Sequence, residues 1–285
     1  MITSLSAWQT YLQERSPLLA LITIGFLQSL ASNYLFRATL DGRGVLMSTL
    51  CLTLLLILMR LMDEIKDYQK DLIAHPGRPL PRGLLTPAQI RRVIQVLVTG
   101  LLTSGALLFF FRSAASGGAL VFTVVYLLLM YQEFFCSKYI NKNAFFYAIT
   151  HQVILIPMYI FSVAMTTPEA AFAERTLWFS LTGLGASFAF EVGRKLDPDS
   201  HPVLRTYLAL YGRTPTVIVI CLALGVLSVS AWQIGVQALV WPTVGLLILF
   251  LPLVYFMPRQ FKLIEHLCAL AALVQLLAVT LMHFL

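Results

Sequence analysis

Three aspartates, Asp63, Asp67 and Asp71, recur at four-residue intervals between Arg60 and Asp71, with Glu64, Lys66 and Lys70 among them. On a helix that spacing stacks them on one face, about 6 Å apart along the axis per step. Like charges at i,i+4 repel and weaken a helix, so a triple repeat calls for a compensating cation. Hard carboxylate oxygens suit Mg2+, which commonly takes one or two carboxylates plus the phosphates of a substrate. The plain alternative is a solvated helix end whose carboxylates pair with Lys66 and Lys70.

The next loop tilts the balance. His75-Pro76-Gly77-Arg78-Pro79-Leu80-Pro81-Arg82-Gly83 presents two guanidiniums on a segment that its prolines stiffen. Arginine grips phosphate oxygens with paired, planar hydrogen bonds. Thr86 and Pro87 have the chemistry of a helix N-cap and first helical residue. A second polar stretch holds Glu191, Arg194, Lys195, Asp197, Asp199 and His201, then Arg205, Tyr207 and Arg213. Glu191 closes an apolar run, and an ionisable residue at such depth usually faces a bundle interior. With Asp197 or Asp199 it can complete a second metal site, while Arg194 and Lys195 hold a departing diphosphate. Ordinary interfacial charge is the competing reading, and two such stretches on one face weigh against it.

Apolar helices must position both stretches. Of 285 residues, 59% are hydrophobic and 12% charged, with mean hydropathy +0.82. Soluble domains carry about twice that share of charge. Nine apolar spans are expected, at roughly 17–36, 45–62, 88–111, 118–135, 144–165, 175–193, 214–232, 236–256 and 263–284. Backbone groups in lipid must be hydrogen-bonded internally, so the spans should be helices. The expected fold is an all-α integral membrane bundle, a single domain over 1–285, with a central chamber opening to the cytoplasmic face.

Nine spans put the termini on opposite sides. With the N-terminus inside, only Arg37, Arg43, Arg112 and Arg175 of the 20 Lys and Arg lie outside, leaving 16 within. The positive-inside rule then places the N-terminus and both polar stretches in the cytoplasm. That distribution explains the net charge of +7 without nucleic acid as a partner. The polar N-terminus, Met1 to Ser16, lacks the features of a cleaved secretory signal. The four cysteines are scattered and read as small buried hydrophobes. No P-loop, zinc-protease His pair, nucleophile-elbow Ser or dinucleotide glycine motif occurs.

On these residues the chain resembles the UbiA superfamily of intramembrane prenyltransferases. That family has nine transmembrane helices and two aspartate-rich motifs on cytosolic loops after helices 2 and 6. Its first motif, N-D-x-x-D-x-x-x-D, falls on Asp63, Glu64, Asp67 and Asp71, followed by the Arg-Pro…Gly segment. Its second, D-x-x-x-D, falls on Glu191 and Lys195, so its second acid is out of register and Asp197 or Asp199 would have to replace it.

The resemblance implies an Mg2+-dependent transfer of a prenyl group from its diphosphate to an aromatic or lipid acceptor through a carbocation. A UbiA-type terpene cyclase, or a non-enzymatic lipid-binding or transport protein, are the alternatives. The catalytic set implied is Asp63, Asp67, Asp71 and Glu191. The metal set is Asp63, Glu64, Asp67, Asp71, Glu191, Asp197 and Asp199, and the diphosphate set Lys66, Arg78, Arg82, Lys138, Arg194 and Lys195.

Further residues carry weaker expectations. Lys142 and Asn143 follow Lys138 near the phosphate side, Glu133 is expected to pair with Lys138, and His151 reads as a hydrogen-bonded interior histidine. Tyr126, Tyr131 and Tyr139 are candidates for a chamber wall. Asn33 and Arg37 read as glue between helices.

Overall fold

The computed structural model describes residues 5–285 apart from Asn141. Fourteen α-helices succeed one another along these residues, joined by short 3-10 turns: α1 (Leu5–Arg15), α2 (Leu18–Tyr34), α3 (Gly42–Ala74), α4 (Pro87–Phe111), α5 (Ala114–Tyr131), α6 (Ser137–Ile140), α7 (Ala144–Gln152), α8 (Leu155–Thr166), α9 (Glu174–Gly193), α10 (Tyr207–Tyr211), α11 (Arg213–Gln233), α12 (Gln237–Phe250), α13 (Leu253–Phe256) and α14 (Phe261–Phe284). No strand occurs among the described residues. The chain is an all-helical, multi-pass integral membrane protein.

The expected count of nine spans is not confirmed by length and composition. Among the described residues seven helices are long and apolar enough to cross a membrane, or eight if the pair α1 and α2, bent by 59°, is one span. The helix of the sixth expected span, α9, has 20 residues but is not apolar enough to be one of the seven. The reason is its place in the bundle. It packs against α8, α11 and α14, and Thr176, Ser180, Thr182, Gly183 and Gly185 are among its buried residues. A helix jacketed by other helices needs small residues for close approach more than it needs lipid-facing bulk. A Cβ on Gly183 would sit 2.3 Å from the Tyr159 hydroxyl, so α8 and α9 meet there only because the side chain is absent.

The helices form a closed circuit: α3, α4, α5, α8, α9, α11, α12, α14 and α2 each touch the next, and α2 returns to α3. Buried hydrogen bonds stitch this ring at depth. Gln275 of α14 donates to the Tyr159 hydroxyl of α8 at 2.8 Å and accepts from Thr182 of α9 at 3.0 Å. Ser32 and Ser162 meet at 2.6 Å, and Ser29 donates to Ser48 at 2.8 Å. Interhelical bonds of this kind contribute roughly 0.6 kcal/mol each.

Asn33, expected as glue between helices, instead ties down the α2–α3 turn, donating to the Thr39 carbonyl and accepting from the Asp41 N–H. Two cysteines, Cys51 and Cys268, are buried as expected, whereas Cys136 and Cys221 are exposed.

Candidate active site

Helix α3 runs 33 residues, roughly 50 Å, well beyond a hydrocarbon core of about 30 Å. Its last turns therefore stand clear of the apolar layer and carry the carboxylates on one face. Thr86 then caps α4 in a complete capping box with Gln89, and Pro87 occupies the first turn. That start fixes where the Arg78 loop must end. The loop reverses at Gly83, whose φ of +79° is a conformation that glycine adopts freely.

Between α3, α1, the Arg78 loop and the end of α9 lies a cavity of about 160 Å3. Its lining is wholly ionic: Asp63, Glu64, Asp67 and Asp71 face Arg15, Arg60, Arg78 and Arg194. At this size it holds a polar head and not a chain, since small-molecule pockets run about 300–1,000 Å3.

The four acids differ in what they touch. Glu64 is buried, and its Oε1 accepts from Arg15 Nε at 2.8 Å and Arg60 at 2.9 Å, while its Oε2 is buried with no partner. Asp71 is buried and takes a 2.6 Å bond from Arg78. Asp67 meets only Lys70, at 3.4 Å with both side chains half-exposed. Asp63 has no hydrogen-bonded or ionic partner among the described residues. It is open to water because it faces the cavity rather than the outer surface. The 3-10 turn Pro202–Leu204 of the second stretch packs on α3, which brings the two polar stretches together. His75, at the α3 C-cap, titrates below its ordinary range because of burial and then the neighbouring Arg78.

The remaining expected residues scatter more widely. Glu191 is clamped by Arg194 at 2.7 Å and Lys195 at 2.5 Å. Asp197 folds back to accept the Asp199 N–H at 3.0 Å, and neither lines the ionic cavity. Arg82 is held by both oxygens of Glu14, at 2.7 and 2.9 Å. Lys138 is exposed on α6. Glu133, expected to pair with Lys138, lies 3.8 Å from Lys66. That ion pair sits on a left-handed turn: Glu133, Phe134 and Phe135 all have φ near +50°, a costly conformation for residues with side chains.

His151 is hydrogen-bonded, as expected, but at a functional boundary. Its Nε2 lies 3.0 Å from the Lys66 ammonium, and its Nδ1 lies 2.8 Å from the Tyr147 carbonyl. The imidazole stacks on the Tyr147 ring at 3.9 Å, and Lys66 lies 5.2 Å from the same ring. A matching arrangement occurs on the α9 side. Lys195 sits 5.1 Å from the Tyr207 ring, which stacks on Phe145 at 5.0 Å.

The aromatic wall next to the charged groups is thus Tyr147, Tyr207 and Phe145. Of the tyrosines expected there, Tyr126 donates to the Thr150 carbonyl and Tyr139 is exposed. Tyr207 is signalled in the sequence by its place in the second polar stretch, and Tyr147 by standing one helical turn before His151.

Among the described residues no three His, Cys, Asp or Glu side chains group closely enough to hold a metal ion unaided. That fits an Mg2+ arriving with its substrate, because such an ion needs only one or two protein carboxylates and completes its shell with phosphate oxygens and water. Asp63 and Asp67, one turn apart and uncommitted to any arginine, are the donor pair that fits.

No protein-family model matches the sequence, and no curated protein matches it. The fold does have a counterpart. A solved structure of digeranylgeranylglyceryl phosphate synthase in membranes superposes with a TM-score of 0.66, over 97% of this chain and 98% of that one, at 15% identity. The chain has the fold of that synthase. The likeness runs end to end, so the fold implied by the aspartate motif is the one found. At this identity the likeness speaks for architecture, and the chemistry rests on the residues.

Proposed function

We propose that the chain is an Mg2+-dependent prenyltransferase of the UbiA type, moving a prenyl group from an allylic diphosphate to a hydrophobic aromatic or lipid acceptor. The observation that carries this reading is the wholly ionic cavity, where two uncommitted carboxylates on α3 face arginines from three other segments. A binding site for a neutral lipid would not gather eight charges, and a site for a bare cation would not include four guanidiniums. Carboxylates and guanidiniums together match a metal–diphosphate pair.

In this reading Asp63 and Asp67 hold the ion against the diphosphate, and Arg194 and Arg78 contact its remaining oxygens. When bound, Mg2+ neutralises the charge developing on the departing diphosphate. Lys195 and Lys66 add positive charge at that end, each kept in place by a tyrosine face. The prenyl carbon left behind is cationic, and the apolar helices keep water away from it. The acceptor's nucleophile then attacks that carbon and gives up its proton. The carboxylate end lies at the cytoplasmic face, consistent with the 16-to-4 split of basic residues.

Support in the fold comes from the synthase of digeranylgeranylglyceryl phosphate, whose architecture the chain shares. The decisive experiment is mass spectrometry of products from purified protein given Mg2+ and a panel of allylic diphosphates, with and without aromatic and lipid acceptors. A metal-dependent adduct of prenyl mass, seen only with acceptor and lost in Asp67→Asn, is the expected result. A hydrocarbon or terpene alcohol formed without acceptor would make the protein a cyclase. Unchanged diphosphate under every condition would overturn the enzymatic reading.

A further inference from the structure

The larger cavity lies at the other end of the bundle, about 470 Å3 against about 160 Å3 at the carboxylates. It is formed by the last turns of α2 and α14, the start of α9 and the tight turn between α11 and α12. The start of α3, which adjoins the end of α2, is 21 residues from Asp63, so the two cavities are roughly 30 Å apart. The thickness of a hydrocarbon core separates them.

Two cations face this cavity, Arg37 and Arg175, and no acidic side chain lines it. Both guanidiniums are under-used. Arg37 spends its Nε on Thr167 at 3.2 Å, and Arg175 makes a single long 3.4 Å bond to the Ile234 carbonyl. Neither has an ion-pair partner among the described residues. The acids nearby in sequence are engaged elsewhere: Asp41 pairs with Arg112, and Glu174 accepts from the Trp178 indole. The rest of the lining includes the apolar Leu35, Val236, Val279 and Met282, together with Tyr34 and His283. Trp232, Phe284 and Leu285, each within two residues of a lining residue, stand largely exposed.

From this we infer that the cavity is a binding site for an anionic phospholipid of the leaflet opposite the carboxylates. Its phosphate sits between Arg37 and Arg175, and its first chain carbons lie along Val279 and Met282. Guanidiniums recognise phosphate oxygens through paired hydrogen bonds, and the volume is that of a ligand pocket. Apolar side chains beside the two guanidiniums select an amphiphile over a free anion. This site is independent of the chemistry proposed at the carboxylates.

The test uses full-length protein stripped of lipid in neutral detergent. Native mass spectrometry and thermal unfolding would track the addition of phosphatidylglycerol, phosphatidylcholine or inorganic phosphate. Phosphatidylglycerol should give a saturable one-lipid adduct and raise Tm, with at least tenfold weaker binding in Arg37→Gln/Arg175→Gln. Arg91→Gln/Arg92→Gln, at the other membrane face, should bind like the parent. Met282→Trp fills the cavity while keeping both arginines and should also abolish the adduct; it decides the matter if the double variant does not fold. Equal adducts in parent and Met282→Trp would overturn the proposal. So would stabilisation by inorganic phosphate equal to that by lipid, or no preference for phosphatidylglycerol over phosphatidylcholine.

Discussion

Helix α3 carries a carboxylate at each end, and the two are treated in opposite ways. Asp41, at its N-cap, accepts the Gly44 N–H at 3.0 Å and is paired with Arg112, which in turn donates to the Met165 carbonyl. Both of its oxygens are engaged. Asp63, near the other end, has no such bond, although arginines line the cavity it faces. Folding satisfies buried polar groups wherever it can, since an unpaired one costs about 1–3 kcal/mol or more when charged. Asp63 is instead open to water through the cavity, so it needs no partner from the chain and can meet a ligand that enters there. On the proposed function, the contrast separates acids that build the fold from acids that serve the chemistry, and Glu191 lies between the two.

The strongest way to break that contrast is Asp63→Asn. With no partner to lose, the variant should unfold at the parent temperature. Product formation should fall roughly 10²–10³-fold, the scale of removing one charge-stabilising group from an active site. Product mass spectrometry beside thermal unfolding in detergent reads both quantities. Full activity would return Asp63 to the status of a surface charge.

Glu191 sharpens the comparison because it is satisfied and does not itself line the cavity, yet it holds Arg194, which does. Arg194 and Lys195 both hold it, so its expected part is to aim those cations at the diphosphate. Glu191→Gln should then raise KM for the allylic diphosphate about tenfold with kcat little changed, as for lost ground-state binding. A fall in kcat at constant KM would instead mean that Glu191 acts only as the bond breaks.

How far these distinctions are legible in the sequence depends on distance along the chain. The aspartate ladder, Glu191 and the Arg78 loop stand out because charges at the end of apolar spans are rare and their spacing is local. The partners that sort the acids are not local. Arg15 reaches Glu64 across 49 residues, and Glu14 reaches Arg82 across 68, so α1 neutralises groups that no periodicity connects to it. The same limit hides Tyr147, which matters only because α7 brings it under Lys66 on α3. The span count is left unconfirmed for a different reason. Hydropathy reports exposure to lipid, and α9 is sheltered from it by α8, α11 and α14.

A smaller effect is expected where an acid of the site also holds the fold. Asp71 is buried and Arg78 about one-third exposed, so Arg78→Ala strands a buried carboxylate at a cost of roughly 1–3 kcal/mol. Asp71→Asn in the same chain should recover part of that loss, since the stranded charge is gone. Thermal unfolding of the parent, both single variants and the double variant gives the coupling directly. Additive losses would show that the pair holds nothing together, and Arg78 would then act on substrate alone.

The smallest effect belongs to Asp41 and is a matter of pH. Burial pushes its carboxyl up, but the Gly44 N–H and Arg112 outweigh this and hold it below its usual value of 3.8. A folded value lower than the unfolded one means stability that is complete above about pH 4 and is lost as pH falls through the folded value. The loss should be about 1 kcal/mol for one charge-assisted pair near the surface. Asp41→Asn keeps an N-capping side chain but has no proton to take up. Its Tm should therefore lie below that of the parent at about pH 6 and converge with it only as pH falls below the folded value. A constant gap across that range would mean that the Asp41–Arg112 pair contributes no net charge interaction. The difference between the two ends of α3 would then lie in geometry alone.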